Sequence, residues 1–127
     1  MELRYSHDHH WVRRDSVRRV TVGLSDFAQR ELGEIAYLEL PEVGTQVAAG
    51  TAVCAVESLK SAGELYAPVT GTVVECNAAL AAEGGQTLIN RDPLGAGWIF
   101  AMEMDQPAEF GQLLSAADYA RLTATDL

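Results

Sequence analysis

The sequence predicts a mainly β fold, a sandwich of short strands with a few small helices. Three observations carry the prediction. Apolar residues alternate with period two, Gly and Pro punctuate the alternating runs, and the helical segments are short and bounded by capping residues. Strands of this kind leave an apolar face that a second sheet must cover, hence the sandwich.

Taken in order, Val20, Val22 and Leu24 alternate and lead to Ser25. Ser25 is the predicted N-cap of a helix over Asp26 to Leu32, with an acid in its first turn and Gly33 as its stop. Ala36, Leu38 and Leu40 alternate and stop at Pro41. Val53 and Ala55 share one face of the next strand, Cys54 and Val56 the other. Leu65, Ala67 and Val69 run up to Gly71, and Val73-Val74 resumes. Asn77 is the predicted cap of one turn over Ala78 to Ala82, ending at Gly84-Gly85. Trp98, Phe100, Met102 and Met104 alternate as core. Ser115 with Asp118 resembles a capping box that opens a helix through Leu122, with the tail from Thr123 to Leu127 fraying. A faint echo links Gly44-Thr45-Gln46-Val47 to Gly71-Thr72-Val73-Val74, 27 positions on, as if two β units were related.

A chain of 127 residues suits one domain over 1–127, with a core at about 18–105 and a C-terminal helical segment at about 108–123. No apolar run reaches the length of a membrane span, and the start lacks a signal-peptide layout, so a cytoplasmic protein that engages no membrane is expected. The net charge of −9 argues against nucleic acid, since phosphate binding draws on clustered Lys and Arg. Cys54 and Cys76 form neither a CxxC pair nor a metal-ligand spacing and read as two reduced, buried thiols. Nothing suggests an obligate interface, and a monomer is expected.

The basic residues are eight Arg and a single Lys, Lys60. It falls in Ser58-Leu59-Lys60-Ser61-Ala62-Gly63, where small and polar residues between two alternating runs predict a hairpin turn. That places Lys60 at the tip, its amine in solvent, where another enzyme could acylate it. A Schiff-base lysine would need an apolar pocket instead, and here Glu57 and Glu64 flank the turn.

Glu57-Ser58-Leu59-Lys60-Ser61, followed by Tyr66-Ala67-Pro68-Val69-Thr70-Gly71, resembles the lipoylation motif of glycine-cleavage H proteins. The resemblance continues through Val22-Gly23-Leu24-Ser25-Asp26-Phe27-Ala28-Gln29, Leu32-Gly33-Glu34-Ile35, Leu40-Pro41-Glu42-Val43-Gly44, Leu88-Ile89-Asn90 and Asp92-Pro93-Leu94-Gly95-Ala96-Gly97-Trp98, in the family's order. Biotin carriers place Met on both sides of their lysine, where this chain has Leu59 and Ser61. The resemblance implies a barrel-sandwich hybrid with lipoate in amide linkage to Lys60. It implies a carrier, not an enzyme, that takes an aminomethyl group from glycine decarboxylase to aminomethyltransferase and is reoxidised by dihydrolipoamide dehydrogenase. A lipoate ligase or octanoyltransferase would install the arm. Glu57, Ser58 and Glu64 are implied as recognition or cleft residues, and His10 as a cleft residue.

Three positions depart from the family pattern. His9-His10-Trp11 stands where the family has His-Glu-Trp, so an imidazole replaces a cleft carboxylate at His10, and as imidazolium it would repel a protonated amine. Glu64 stands for Asp, and Gly63 for a frequent Ser. The alternative these changes leave open is an H-like lipoate-binding carrier of another pathway, in sulfur oxidation or lipoyl relay. His7, His9 and His10 beside Asp8 raise a metal site, but two further ligands at suitable spacing are not visible, and none is expected. No GxSxG, P-loop or GxGxxG motif is present.

Overall fold

The computed structural model describes residues 2–125. Among the described residues nine strands form two antiparallel sheets: β1 (Leu3–Tyr5), β2 (His10–Arg14), β3 (Arg19–Leu24), β4 (Ile35–Leu38), β5 (Gln46–Val47), β6 (Ala52–Ser58), β7 (Ala62–Tyr66), β8 (Gly71–Cys76) and β9 (Phe100–Met104). The larger sheet runs β1-β2-β3-β9-β8-β5, the smaller β4-β6-β7. The helices are α1 (Asp26–Leu32), α2 (Ala78–Ala81), α3 (Leu88–Arg91) and α4 (Ala116–Thr125), with 3-10 turns at Gly85–Thr87 and Pro107–Gln112.

One hydrophobic cluster draws on both sheets. Val12, Val20, Val22, Val73, Phe100, Met102 and Met104 come from the larger, and Ile35, Cys54, Val56 and Leu65 from the smaller. The predicted split of β6 holds, with Cys54 and Val56 buried and Val53 and Ala55 only half-buried. The caps hold as well. Ser25 Oγ accepts from the Ala28 N–H at 3.1 Å, and Asn77 Oδ1 from the Ala79 N–H at 3.1 Å. The two echoing segments pair with each other, Gln46 opposite Thr72 and Val47 opposite Gly71.

Several expectations need correction. In β4 it is Ile35 that enters the core, while Ala36 is exposed, because a register shift between Ile35 and Tyr37 resets the alternation. Trp98 is half-buried and precedes β9, since its N–H closes a turn onto the Gly95 carbonyl at 3.1 Å before sheet pairing resumes at Ile99. Cys76 is half-buried, its thiol donating to the Pro41 carbonyl at 3.0 Å. Cys54 is buried, and loss of solvation pushes its thiol up to about 12. α4 continues past Leu122 to Thr125, while the last two residues of the predicted fraying tail lie outside the described residues. Ser115 Oγ accepts from the Asp118 N–H at 3.1 Å, but the Asp118 carboxylate pairs with Arg121, so only half of a capping box forms. Strands β1 and β2 carry no clear sequence alternation. β1 is held by β2 on one side and by a Tyr5–Leu114 bridge on the other.

Candidate functional site

The β6–β7 hairpin closes tightly. Glu57 pairs with Ala62, and the Ser58 N–H donates to the Ser61 carbonyl at 2.8 Å, leaving Leu59 and Lys60 at the tip. Both are exposed, Leu59 at 73%. Ser58 builds this turn from within: its Oγ accepts from the Ser61 N–H at 3.1 Å and the Lys60 N–H at 3.3 Å. Its hydroxyl is therefore engaged inside the turn.

The tip is tied down rather than free. The Leu59 N–H donates to the Glu34 carbonyl at 3.0 Å, and Ser58 pairs with Ile35, which fixes the hairpin to the link between α1 and β4. Asn90 of α3 staples that link. Its Oδ1 accepts from the Ile35 N–H at 2.9 Å, and its Nδ2 donates to the Gly33 carbonyl at 2.9 Å and to Gln29 Oε1 at 3.0 Å. Gly33 caps α1 with φ +79°, and the Lys60 side chain crosses it so closely that a methyl group at position 33 would stand 3.2 Å from Lys60 Cε. Lys60 thus leaves a rigid turn over a flat glycine floor.

A cleft of about 530 Å³ opens beside the hairpin. The β1–β2 turn supplies Asp8 and His9, β2 supplies His10, and α1 supplies Phe27, Ala28, Glu31 and Leu32. The hairpin supplies Val56, Gly63, Glu64 and Leu65. Apolar walls with a few carboxylates suit a long, mostly apolar ligand with a cationic end. Of the predicted residues, Glu64 and His10 line this cleft together. Glu57 is exposed and faces outward on the same sheet surface as Glu64, since Glu57 pairs with Ala62 and Ala55 with Glu64.

His10 differs from the sequence expectation. It is 2% exposed, and burial lowers its pKa to about 4, outweighing the opposing pull of Asp8. The Tyr66 N–H donates to its Nε2 at 3.0 Å, so Nδ1 carries the proton and donates to the Asp8 carbonyl at 3.1 Å. At neutral pH the ring is therefore a neutral wall element and not an imidazolium that repels amines. Among the described residues no cluster of three or more His, Cys, Asp or Glu side chains is arranged to hold a metal ion. Sequence reading missed Asp8 and Glu31 as cleft residues and Asn90 as the staple. A polar Asn directly after the apolar Leu88-Ile89 pair was the available signal for the last.

Fold and site together define a small two-sheet β protein that presents one lysine at an anchored hairpin tip beside a part-apolar cleft. The model of the family described as glycine cleavage H-protein matches residues 3–126, and the chain belongs to that family, a carrier family. The chain is 46% identical over 125 residues to the glycine cleavage system H protein of Xanthomonas campestris pv. campestris (strain B100), covering 98% of this chain and 94% of that protein. It is 42% identical to that of Xylella fastidiosa (strain 9a5c), with the same coverage. Its structure is similar to the crystal structure of a glycine cleavage system H protein from Mycobacterium marinum, with a TM-score of 0.84, 34% identity and 97% of both chains covered.

Proposed function

We propose that Lys60 carries lipoate in amide linkage and that the chain is the lipoyl carrier of glycine cleavage. In this role it moves an aminomethyl group from glycine decarboxylase to aminomethyltransferase and returns to its oxidised form through dihydrolipoamide dehydrogenase. A lipoate ligase or octanoyltransferase would acylate the lysine. The observation that carries this reading is the only lysine of the sequence standing exposed at a turn that three elements hold rigid.

The residues fit the group. An exposed amine on a stiff hairpin is open to a modifying enzyme, and a lysine plus its acyl arm reaches on the order of 14 Å by ordinary bond lengths. When bound, lipoate supplies thiol–disulfide exchange and carriage of a one-carbon amine. The chain's own residues tether, orient and shield. Lys60 fixes the anchor and confines the arm near whichever partner has docked. Leu24, Phe27, Leu32, Val56 and Leu65 line the cleft and exclude water. Asp8 and Glu31 attract a cationic end, Glu64 borders the cleft with its side chain on the outer sheet face, and His10, being neutral, does not oppose it. Glu57, outside the cleft, is assigned to recognition by the lipoylating enzyme. Ser58 keeps the lysine at the tip. The carrier acts as a substrate of its partners, as a cytoplasmic monomer of one domain.

The test uses the purified, fully lipoylated chain with glycine decarboxylase and glycine labelled at its methylene carbon, the carbon that stays with the amine when the carboxyl group leaves as carbon dioxide. Label should appear on the wild-type carrier and be absent from Lys60→Arg, whose guanidinium cannot form the amide. Full lipoylation with no label transfer would instead support the carrier of another pathway, which the family relationship does not favour.

A further inference from the structure

The C-terminal helix touches a residue of the cleft wall, His9, through the side chain of Tyr119. Tyr119 of α4 is buried, its ring stacked on Tyr5 at 4.3 Å with planes 3° apart. Its hydroxyl lies 2.8 Å from His9 Nδ1 and 2.6 Å from Ser25 Oγ. These two partners belong to different elements of the cleft's surroundings. His9 is in the β1–β2 turn that lines the cleft, and Ser25 is the N-cap of α1, whose Phe27, Ala28 and Glu31 also line it.

Two features make the contact more than packing. His9 has φ +67°, a left-handed conformation that a residue with a Cβ holds only when its surroundings over-determine it. Here the surroundings are the Tyr119 hydroxyl, the Phe27 ring at 5.0 Å, and backbone bonds from the His9 N–H to the Ser6 carbonyl (3.1 Å) and from the Ser25 N–H to the His9 carbonyl (3.0 Å). A phenol also serves both partners whichever proton arrangement His9 takes. It can donate to an unprotonated Nδ1 while accepting from the Ser25 hydroxyl, or accept from an Nδ1–H while donating to Ser25 Oγ.

We propose that Tyr119 is a positioning residue for the cleft: its hydroxyl ties the β1–β2 turn to the N-terminus of α1, so that α4 sets how completely the cleft encloses its occupant. The consequence for cargo rests on the reading that the loaded lipoyl arm occupies this cleft. Enclosure then governs how fast water releases the one-carbon unit, in which the S–CH2–NH2 group plus water gives the free thiol, formaldehyde and ammonia.

Tyr119→Phe keeps the ring and its stacking and removes only the hydroxyl. In the unlipoylated full chain, amide exchange should rise roughly tenfold at His9, His10, Ser25 and Ala28, and stay unchanged at Ser61 in the hairpin. His9→Gly, which accepts the left-handed backbone without strain, breaks the tie from the other side and should give the same pattern at His10, Ser25 and Ala28. Lipoylation of Lys60 should proceed at the wild-type rate in Tyr119→Phe, while formaldehyde release from the loaded carrier should quicken several-fold. Unchanged exchange at the four amides would overturn the tie. Raised exchange with unchanged release would overturn its control of enclosure. A wild-type carrier that accepts no cargo would instead count against the proposed function, and the exchange measurement would still decide the tie.

Discussion

Acidification should unlock the fold through His10 before most of its carboxylates matter. The ring is buried and bonded as a neutral tautomer, with an ordinary value of 6.5 lowered to about 4 in the folded chain. In the unfolded chain it takes a proton near 6.5, so between that pH and about 4 the unfolded state binds more protons. Stability from this group is therefore complete above pH 6.5 and falls as pH drops through the window to about 4. At about 1.4 kcal/mol per pH unit, the shift corresponds to about 3 kcal/mol. Urea unfolding of the wild type and of His10→Gln at several pH values isolates it, because the carboxylates titrate in both proteins and cancel in the difference. The gap between the two stabilities should shrink by about 3 kcal/mol from about pH 7.5 to about pH 4. An NMR titration of the His10 ring in the wild type gives the same answer without a variant. A gap constant with pH, or a ring that protonates near 6.5 in the folded chain, would refute the reasoning.

The hairpin platform yields two further predictions. Asn90→Ala leaves the Ile35 N–H and the Gly33 carbonyl without their side-chain partner. At about 1–2 kcal/mol for each of these part-buried groups, it should cost about 2–4 kcal/mol, or roughly 8–15 °C in Tm by calorimetry. Gly33→Ala places a Cβ on a backbone at φ +79° and against Lys60, which should cost about 1–2 kcal/mol in urea unfolding and slow lipoylation of Lys60 by a ligase.

Much of this was legible because local chemistry and global fold agree. Ser25 and Asn77 are good caps wherever they fall, and the period-two runs from Val20 to Leu24 and from Phe100 to Met104 bury the residues that alternation selects. The lysine at the turn followed from small residues between two strands. What escaped depended on long-range contacts. His10 reads as a cleft imidazole able to take a proton until Tyr66, distant in sequence, supplies a donor to its Nε2. Ala36 lost its place to Ile35 through a bulge that alternation does not encode. Tyr119 and Asn90 act on segments far from themselves in the chain, so no window of neighbouring residues contains their function.

Intact-mass spectrometry of the chain taken from its own cells, with peptide mapping, addresses the anchor itself. A lipoyl or octanoyl increment carried on the peptide containing Lys60, and lost in Lys60→Arg, is the predicted result. Protein that stays wholly unmodified while other lipoyl proteins of the same cells carry the group would contradict it.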